Sequence, residues 1–192
     1  VTPAPATTRQ ALLDAAEQLL DEGGQAAVTL REVGRRAGVS HNAPYKHFAS
    51  KEALLSGVAA RELRRHHANL RAALDREPSP ERALAATLRD QTARAVRYPE
   101  RFRLIYGRWT TFTDELVDAA AAASALTTET VRATQERGAL PAGDPERLSA
   151  LLRATARGAA ELESAGQLSP EGKGRADAAG LVDDLLAFLD PR

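Results

Sequence analysis

The segment GVSHNAPYKHFASKEALL, from Gly38 to Leu55, concentrates side chains suited to reading nucleic acid. Asn can pair with adenine through two hydrogen bonds, Lys reaches guanine acceptors, an Ala methyl meets a thymine methyl, and Tyr reaches a phosphate oxygen. With Ser40 as helix cap, successive residues turn by about 100°. Pro44 and Phe48 then fall on one side and are expected to pack inward. Asn42 and Lys46 fall on the opposite side, with Ala43 and Tyr45 on its flanks and His41 at the end that enters a groove first. On this reading Pro44 is the fourth helical residue, where its missing N–H costs only the bond to the cap carbonyl. Ser50 caps the next helix, so Lys51 stands at a positive helix end, where backbone N–H groups and an ammonium together make a phosphate anchor. The bland alternative treats Tyr45 and His47 as ordinary surface residues and Lys51 with Glu52 as a solvated ion pair. As one spaced set, these residues favour DNA.

Positioning such a face requires helices, and helix signals recur throughout with no convincing strand. Thr7-x-x-Gln10 forms a capping box before a first helix that Gly23-Gly24 stops. Thr29-x-x-Glu32 opens a second, short helix that Gly38 closes in the position favouring a left-handed residue. Two short helices joined by a tight glycine turn are the sequence form of a helix-turn-helix, its core made from Leu30, Val33, Gly34, Ala37 and Val39 with Phe48 closing it. Helix four runs from Ser50 to about Glu77. Ser79-Pro80, Tyr98-Pro99 and Asp144-Pro145 mark later helix starts. The expected fold is all-α with about nine helices. Its domains are a helix-turn-helix domain over residues 1–57 and a helical effector and dimerisation domain over 58–192, linked by helix four. Residues 166–175 are the expected mobile loop, and the first six residues are expected to be disordered.

Composition excludes several classes. Without cysteine there are no disulfides, thiolate metal sites or cysteine nucleophiles. The four histidines lie within the first 67 residues, and the adjacent His66 and His67 point about 100° apart on a helix, a poor metal pair. No metal and no cofactor are expected. No phosphate-binding glycine loop, HExxH or G-x-S-x-G motif supports an enzyme. Formal charge is zero overall, yet residues 1–76 carry 11 Lys and Arg against 8 Asp and Glu, while the remainder carries 15 against 18. A modestly basic first third fits an anionic partner. No apolar run approaches a membrane span and no leader pattern opens the chain, so a soluble, cytoplasmic protein is expected.

Taken together, Thr29-Leu-Arg-Glu-Val33, Ala37-Gly-Val-Ser40 and Tyr45-x-His47-Phe48-x-x-Lys51-Glu52-x-Leu54-Leu55 resemble the DNA-binding domain of the tetracycline-repressor (TetR) family over about residues 7–57. The resemblance implies an all-α homodimeric regulator that binds a DNA operator through its N-terminal domain and a small molecule through its C-terminal domain. It further implies phosphate contacts at Thr29, Tyr45, His47 and Lys51, and base proximity for His41, Asn42, Ala43 and Lys46, with Ser40 opening the helix that carries them. Pro44 departs from the aliphatic residue that many relatives place there. Tyr98-Pro99-Glu-Arg-Phe102-Arg-Leu104-Ile105-Tyr106 also resembles the start of a regulatory domain in part of the family.

Beyond that domain, Phe102, Tyr106, Trp109 and Phe112 recur at spacings of four, three and three. With Thr110 they are the candidate ligand pocket, and plain core is the alternative. Arg94, Arg97, Arg101, Arg103 and Arg108 crowd the same region and read as a solvent face rather than an anion pocket. Leu151, Leu152, Thr155, Ala159 and Leu162, with Leu181, Leu185 and Leu189, are the candidate dimer seam, two helices from each protomer forming a four-helix interface, and burial against the chain's own body is the alternative for any one of the leucines. The expected function is repression of transcription at a palindromic operator, released by an effector. A DNA-binding or partner-binding module without an effector is the alternative.

Overall fold

A computed structural model describes residues 7–107, 109 and 112–191. Among these, nine α-helices carry the fold: α1 (Thr8–Ala27), α2 (Leu30–Arg36), α3 (Ala43–His47), α4 (Lys51–Arg76), α5 (Pro80–Arg97), α6 (Pro99–Ile105), α7 (Asp114–Glu136), α8 (Pro145–Ser164) and α9 (Ala178–Leu189). They form two compact units. One takes the residues up to Glu62 together with Glu100–Ala119, and the other takes Leu63–Pro99 and the residues from Ala120 onward. The first unit therefore extends the expected N-terminal domain by residues 58–62 of α4, by nearly all of α6 and by the first turns of α7. The expected disorder of the first six residues lies outside the described residues.

Local chemistry accounts for most helix boundaries. Thr7 and Gln10 make the full reciprocal capping box of α1, Thr7 Oγ1 accepting from Gln10 N and Gln10 Oε1 from Thr7 N. Gly23 and Gly24 leave helical geometry as expected, and a final turn resumes to Ala27. Thr29 makes half of its box: Oγ1 accepts from Glu32 N at 3.1 Å, while the Glu32 carboxylate turns to the Arg35 guanidinium. Asp144 caps α8 through bonds from the backbone N–H groups of Glu146 and Arg147.

In the first unit, α1, α2 and α3 pack on one another around Leu12, Leu13, Ala16, Leu20, Val28, Val33 and Phe48, all buried. In the second, α5, α8 and α9 pack together, with Leu84, Leu88, Leu152, Ala156 and Val182 in a core that Val131 of α7 and Leu140 complete. Four buried hydroxyls there bond within their own helices: Thr92, Thr127, Thr130 and Thr134 each donate to the carbonyl four residues earlier at 2.7–2.8 Å. The segment 166–175 is a loop folded on itself, bridged between Ser169 and Gly174.

Candidate DNA interface

The helix-turn-helix is set by three residues. Gly38 takes a φ of +67°, the left-handed conformation that ends α2 and turns the chain. Gly34 faces Pro44, and a Cβ at Gly34 would lie 2.7 Å from Pro44 Cγ. The absent side chain is what lets α3 sit against α2. Pro44 and Phe48 are buried on the inner side of α3, as the wheel predicts.

One detail differs from the sequence expectation. Ser40 does not cap α3; its carbonyl accepts from Ala43 N in a preceding turn, and the helix begins at Ala43 with Asn42 before it. Pro44 is then the second helical residue, where its N–H would have no helical partner. At this position Pro44 costs no helix hydrogen bond.

The outer side of α3 is open to solvent. Ser40, His41, Asn42, Tyr45, Lys46 and His47 are exposed, Tyr45 at 53%, and Ala43 is half-buried on the flank. The His41 and Tyr45 rings stand 6.0 Å apart, centroid to centroid, grouping them along one edge. No Asp or Glu occurs from Val33 to Lys51, so no carboxylate within this stretch repels an approaching phosphate. Thr29 is exposed at the start of α2, and while its oxygen accepts the capping bond, its own proton stays available to a phosphate. Lys51 is exposed at the first residue of α4, whose cap is the expected Ser50, accepting from Ala53 N at 3.1 Å. The Lys51 ammonium donates to the Gln25 carbonyl at 2.5 Å, which ties it to the end of α1.

Behind this face lies a cluster the sequence pattern concealed. Arg101, expected on a solvent face, is buried: its guanidinium bonds Asp21 at 2.8 Å and Glu17 at 2.6 Å on α1 and reaches Glu62 of α4 at 3.4 Å. Burial works to lower its pKa, but the Asp21 hydrogen bond and then the charges of Glu17, Asp21 and Glu62 outweigh it and hold the pKa above the usual range. The carboxylates, spaced four apart on α1 and lying far off in sequence, gave no local signal. Arg94 and Arg97 lie over the Tyr98 ring, Arg103 is exposed and pairs with Glu100, and Arg108 lies outside the described residues.

The aromatic stripe is not one helical face, because α6 ends at Ile105 and a turn at Gly107 follows. Phe102 and Tyr106 are half-buried, Phe112 is 66% exposed, and Thr110 and Thr111 lie outside the described residues. Trp109 is brought to a cleft of about 410 Å³ with Gln25, Lys51, Glu52, Leu55, Leu104 and Gly107. Of the candidate seam residues, Leu152 and Ala159 face the protomer's own core, at 1% and 4% exposure. That burial removes both from a surface seam, since one side of α8 must close the core of its own chain. Leu151 and Leu162 are each 47% exposed, Thr155, Leu181, Leu185 and Leu189 are half-buried, and Phe188, which the sequence reading passed over, is 88% exposed. No group of three or more His, Asp or Glu suited to a metal occurs among the described residues, and no helix there is long and apolar enough to cross a membrane.

Comparison with known proteins agrees with this geometry. Residues 12–58 match the family described as "Bacterial regulatory proteins, tetR family", and residues 82–189 match "Tetracyclin repressor-like, C-terminal domain". The tetracycline repressor protein class D of Escherichia coli is 37% identical over 59 residues, which cover 31% of this chain and 27% of that protein. A Rhodococcus sp. RHA1 protein of unknown function has a solved structure similar to this one, with a TM-score of 0.81 and 30% identity over 98% of this chain and 96% of its own. SmeT, solved as a complex with triclosan, has a TM-score of 0.65 and 26% identity over 94% of this chain and 90% of its own. The two family matches, one on the helix-turn-helix and one on most of the remaining chain, establish that this protein belongs to the TetR family of transcriptional regulators.

Proposed function

We propose that the chain is a repressor that binds a palindromic operator as a homodimer and leaves it when a small molecule binds. The observation that carries this reading is the outer face of α3, exposed, free of carboxylates and seated on a buried Pro44–Gly34 contact. Lys46 and Asn42 approach base edges in the major groove, with His41 and Ala43 beside them. Thr29, Tyr45, His47 and Lys51 hold phosphates, which fixes the register of α3.

Two such helices are needed for a palindrome, about 34 to 36 Å apart. Leu151, Thr155 and Leu162 repeat along one side of α8, and Phe188 is nearly bare on α9, so these residues supply an apolar face for a second copy. Leu181, Leu185 and Leu189 on α9 border it. Effector release needs a ligand that prefers the DNA-free form by a coupling of about 1–3 kcal/mol. SmeT's complex with triclosan supports a small-molecule response in this chain as well.

The test is selection of bound duplexes from a random-sequence pool by the purified protein at stated salt. A palindromic consensus supports the proposal. Retention that is only salt-sensitive and unspecific sinks it, since sequence reading is its content.

A further inference from the structure

Helix α3 is five residues long, and Phe48 N closes its last turn by donating to the Pro44 carbonyl at 2.9 Å. So short a helix has little rigidity of its own, and its direction is set by what holds its two buried side chains, Pro44 and Phe48. Pro44 rests on Gly34 of α2. Phe48 is held from elsewhere. The Arg9 guanidinium of α1 lies 5.3 Å from the centroid of its ring and pairs with the Glu115 carboxylate in the first turn of α7. These groups meet at Gly57 of α4, where a Cβ would lie 3.1 Å from Leu13 Cδ2, 3.4 Å from Phe48 Cε1 and 3.6 Å from Arg9 Nη2. Beside it, the buried Ser56 hydroxyl and Thr113 Oγ1 share a hydrogen bond of 2.6 Å, and Thr113 Oγ1 also accepts from Leu116 N at 3.3 Å, at the start of α7. The head of α7 is thus tied to α1 by an ion pair and to α4 by a hydroxyl pair. All these residues belong to the first compact unit, while α7 itself continues beyond Ala119 into the second.

A guanidinium is attracted to the negative face of an aromatic ring, but a part-exposed arginine has many rotamers to choose from. The Glu115 carboxylate selects the one that covers Phe48. We propose that Arg9 and Glu115 are positioning residues for DNA reading: Glu115 holds the Arg9 guanidinium on the Phe48 ring, and the ring fixes the tilt of α3 about its contact with Gly34. This inference rests on the operator-binding reading above. Asn42 and Lys46, the base-facing pair, depend on that tilt, whereas Thr29 and Lys51 hold phosphates from the starts of α2 and α4 and do not. The recognition helix is therefore aimed in part by α7, which lies outside the helix-turn-helix.

The test compares affinity for a selected duplex with affinity for its scrambled counterpart, using the full-length protein well below its melting temperature. Arg9→Gln and Glu115→Gln are each expected to lower the ratio of the two affinities about fivefold, the size of one cation–π contact, and the double variant to lower it no further than Arg9→Gln alone. Arg9→Lys keeps a cation for ring and carboxylate alike and is expected to restore most of the ratio. Arg9→Glu/Glu115→Arg is expected to recover the melting temperature but not the ratio, because a carboxylate is repelled by the face of the Phe48 ring. In the free ¹⁵N-labelled protein, Glu115→Gln is expected to shift the amide cross-peaks of Tyr45, Lys46 and His47, although Glu115 lies on another helix. A melting temperature lowered in Arg9→Gln with the ratio unchanged leaves the pair a structural role only and overturns the proposal. A ratio lowered in Arg9→Gln but not in Glu115→Gln overturns the part assigned to α7. If a duplex is selected and Glu115→Gln changes neither the ratio nor the α3 amides, the regulator reading stands and this inference fails. If no duplex is selected and those amides shift in Glu115→Gln, the link from α7 to α3 stands and the regulator reading fails.

Discussion

Replacing Arg101 by Met removes the cation from beneath Glu17, Asp21 and Glu62 and leaves a side chain of similar length. Glu17 and Glu62 side chains are 8% and 2% exposed, so their charges would remain in a poorly solvated interior. Breaking a buried ion pair by removing one partner costs about 3–5 kcal/mol. For a chain of this length each kcal/mol moves the melting temperature by about 2–4 °C, so the variant is expected to melt roughly 6 to 20 °C lower. Arg101 in the wild type stays charged throughout the accessible pH range, because its folded pKa is raised and its contribution is lost only at strongly alkaline pH. In Arg101→Met, loss of that charge makes the buried Glu17 and Glu62 carboxylates harder to ionise than in the wild type, although Arg61 still lies 3.4 Å from Glu17. The folded variant then binds more protons than the folded wild type, so its deficit against wild type narrows as pH falls from about 7.5 to 5.5. Arg101→Lys keeps the charge but loses the planar fork, and its cost is expected to fall between the two. Urea unfolding of the three proteins at both pH values is the assay. A loss under about 1 kcal/mol at pH 7.5, or a deficit that widens on acidification, refutes the reasoning.

Gly34→Ala places a methyl 2.7 Å from Pro44 Cγ, so thermal melts are expected to show a loss of about 1–3 kcal/mol, most of it recovered in Gly34→Ala/Pro44→Ala. His66 is buried against Thr127, and burial first, then the charges of Arg153 and His67, push its pKa down to about 4 against the opposing pull of Asp90. Its depressed pKa means that the unfolded chain binds the proton more readily. Stability is therefore expected to fall by up to about 3 kcal/mol as pH drops from 6.5 towards 4, and urea titrations of His66→Gln should lack that component. Leu151→Glu/Leu162→Glu charges the exposed side of α8 without touching the core beneath, and sedimentation is expected to show a folded monomer. A dimer of unchanged strength would remove that face from the interface.

The legible part of this fold was its punctuation. Thr7, Ser50, Asp144 and Pro80 announce helix starts through bonds or dihedrals made within a turn, so the sequence alone locates them. The outward set on α3 was legible for the same reason: Pro44 and Phe48 define the buried side, and the rest follows by rotation. Ser40 is a favourable cap by residue type, but its carbonyl accepts from Ala43 N in a turn that precedes the helix, and only the geometry shows the helix starting at Ala43. The aromatic spacing looked helical, yet spacing cannot say where a helix stops, and α6 stops at Ile105. Arg101 was misplaced because its partners are 39 to 84 residues away, beyond any periodic pattern. On α8 the periodicity found an apolar stripe, but separating Leu152, which faces the core, from Leu151, which faces solvent, needed the packed neighbours.

The central claim is that the outer face of α3 reads bases while Lys51 holds a phosphate. It is tested most directly by the affinity of wild type, Lys46→Ala and Lys51→Ala for a selected duplex and for its scrambled counterpart across a salt series. Lys46→Ala is expected to lower the ratio between the two duplexes by about 1–3 kcal/mol, and Lys51→Ala to weaken both duplexes alike with a salt slope smaller by about one. A duplex ratio unchanged in Lys46→Ala, with a salt slope unchanged in Lys51→Ala, would contradict the account.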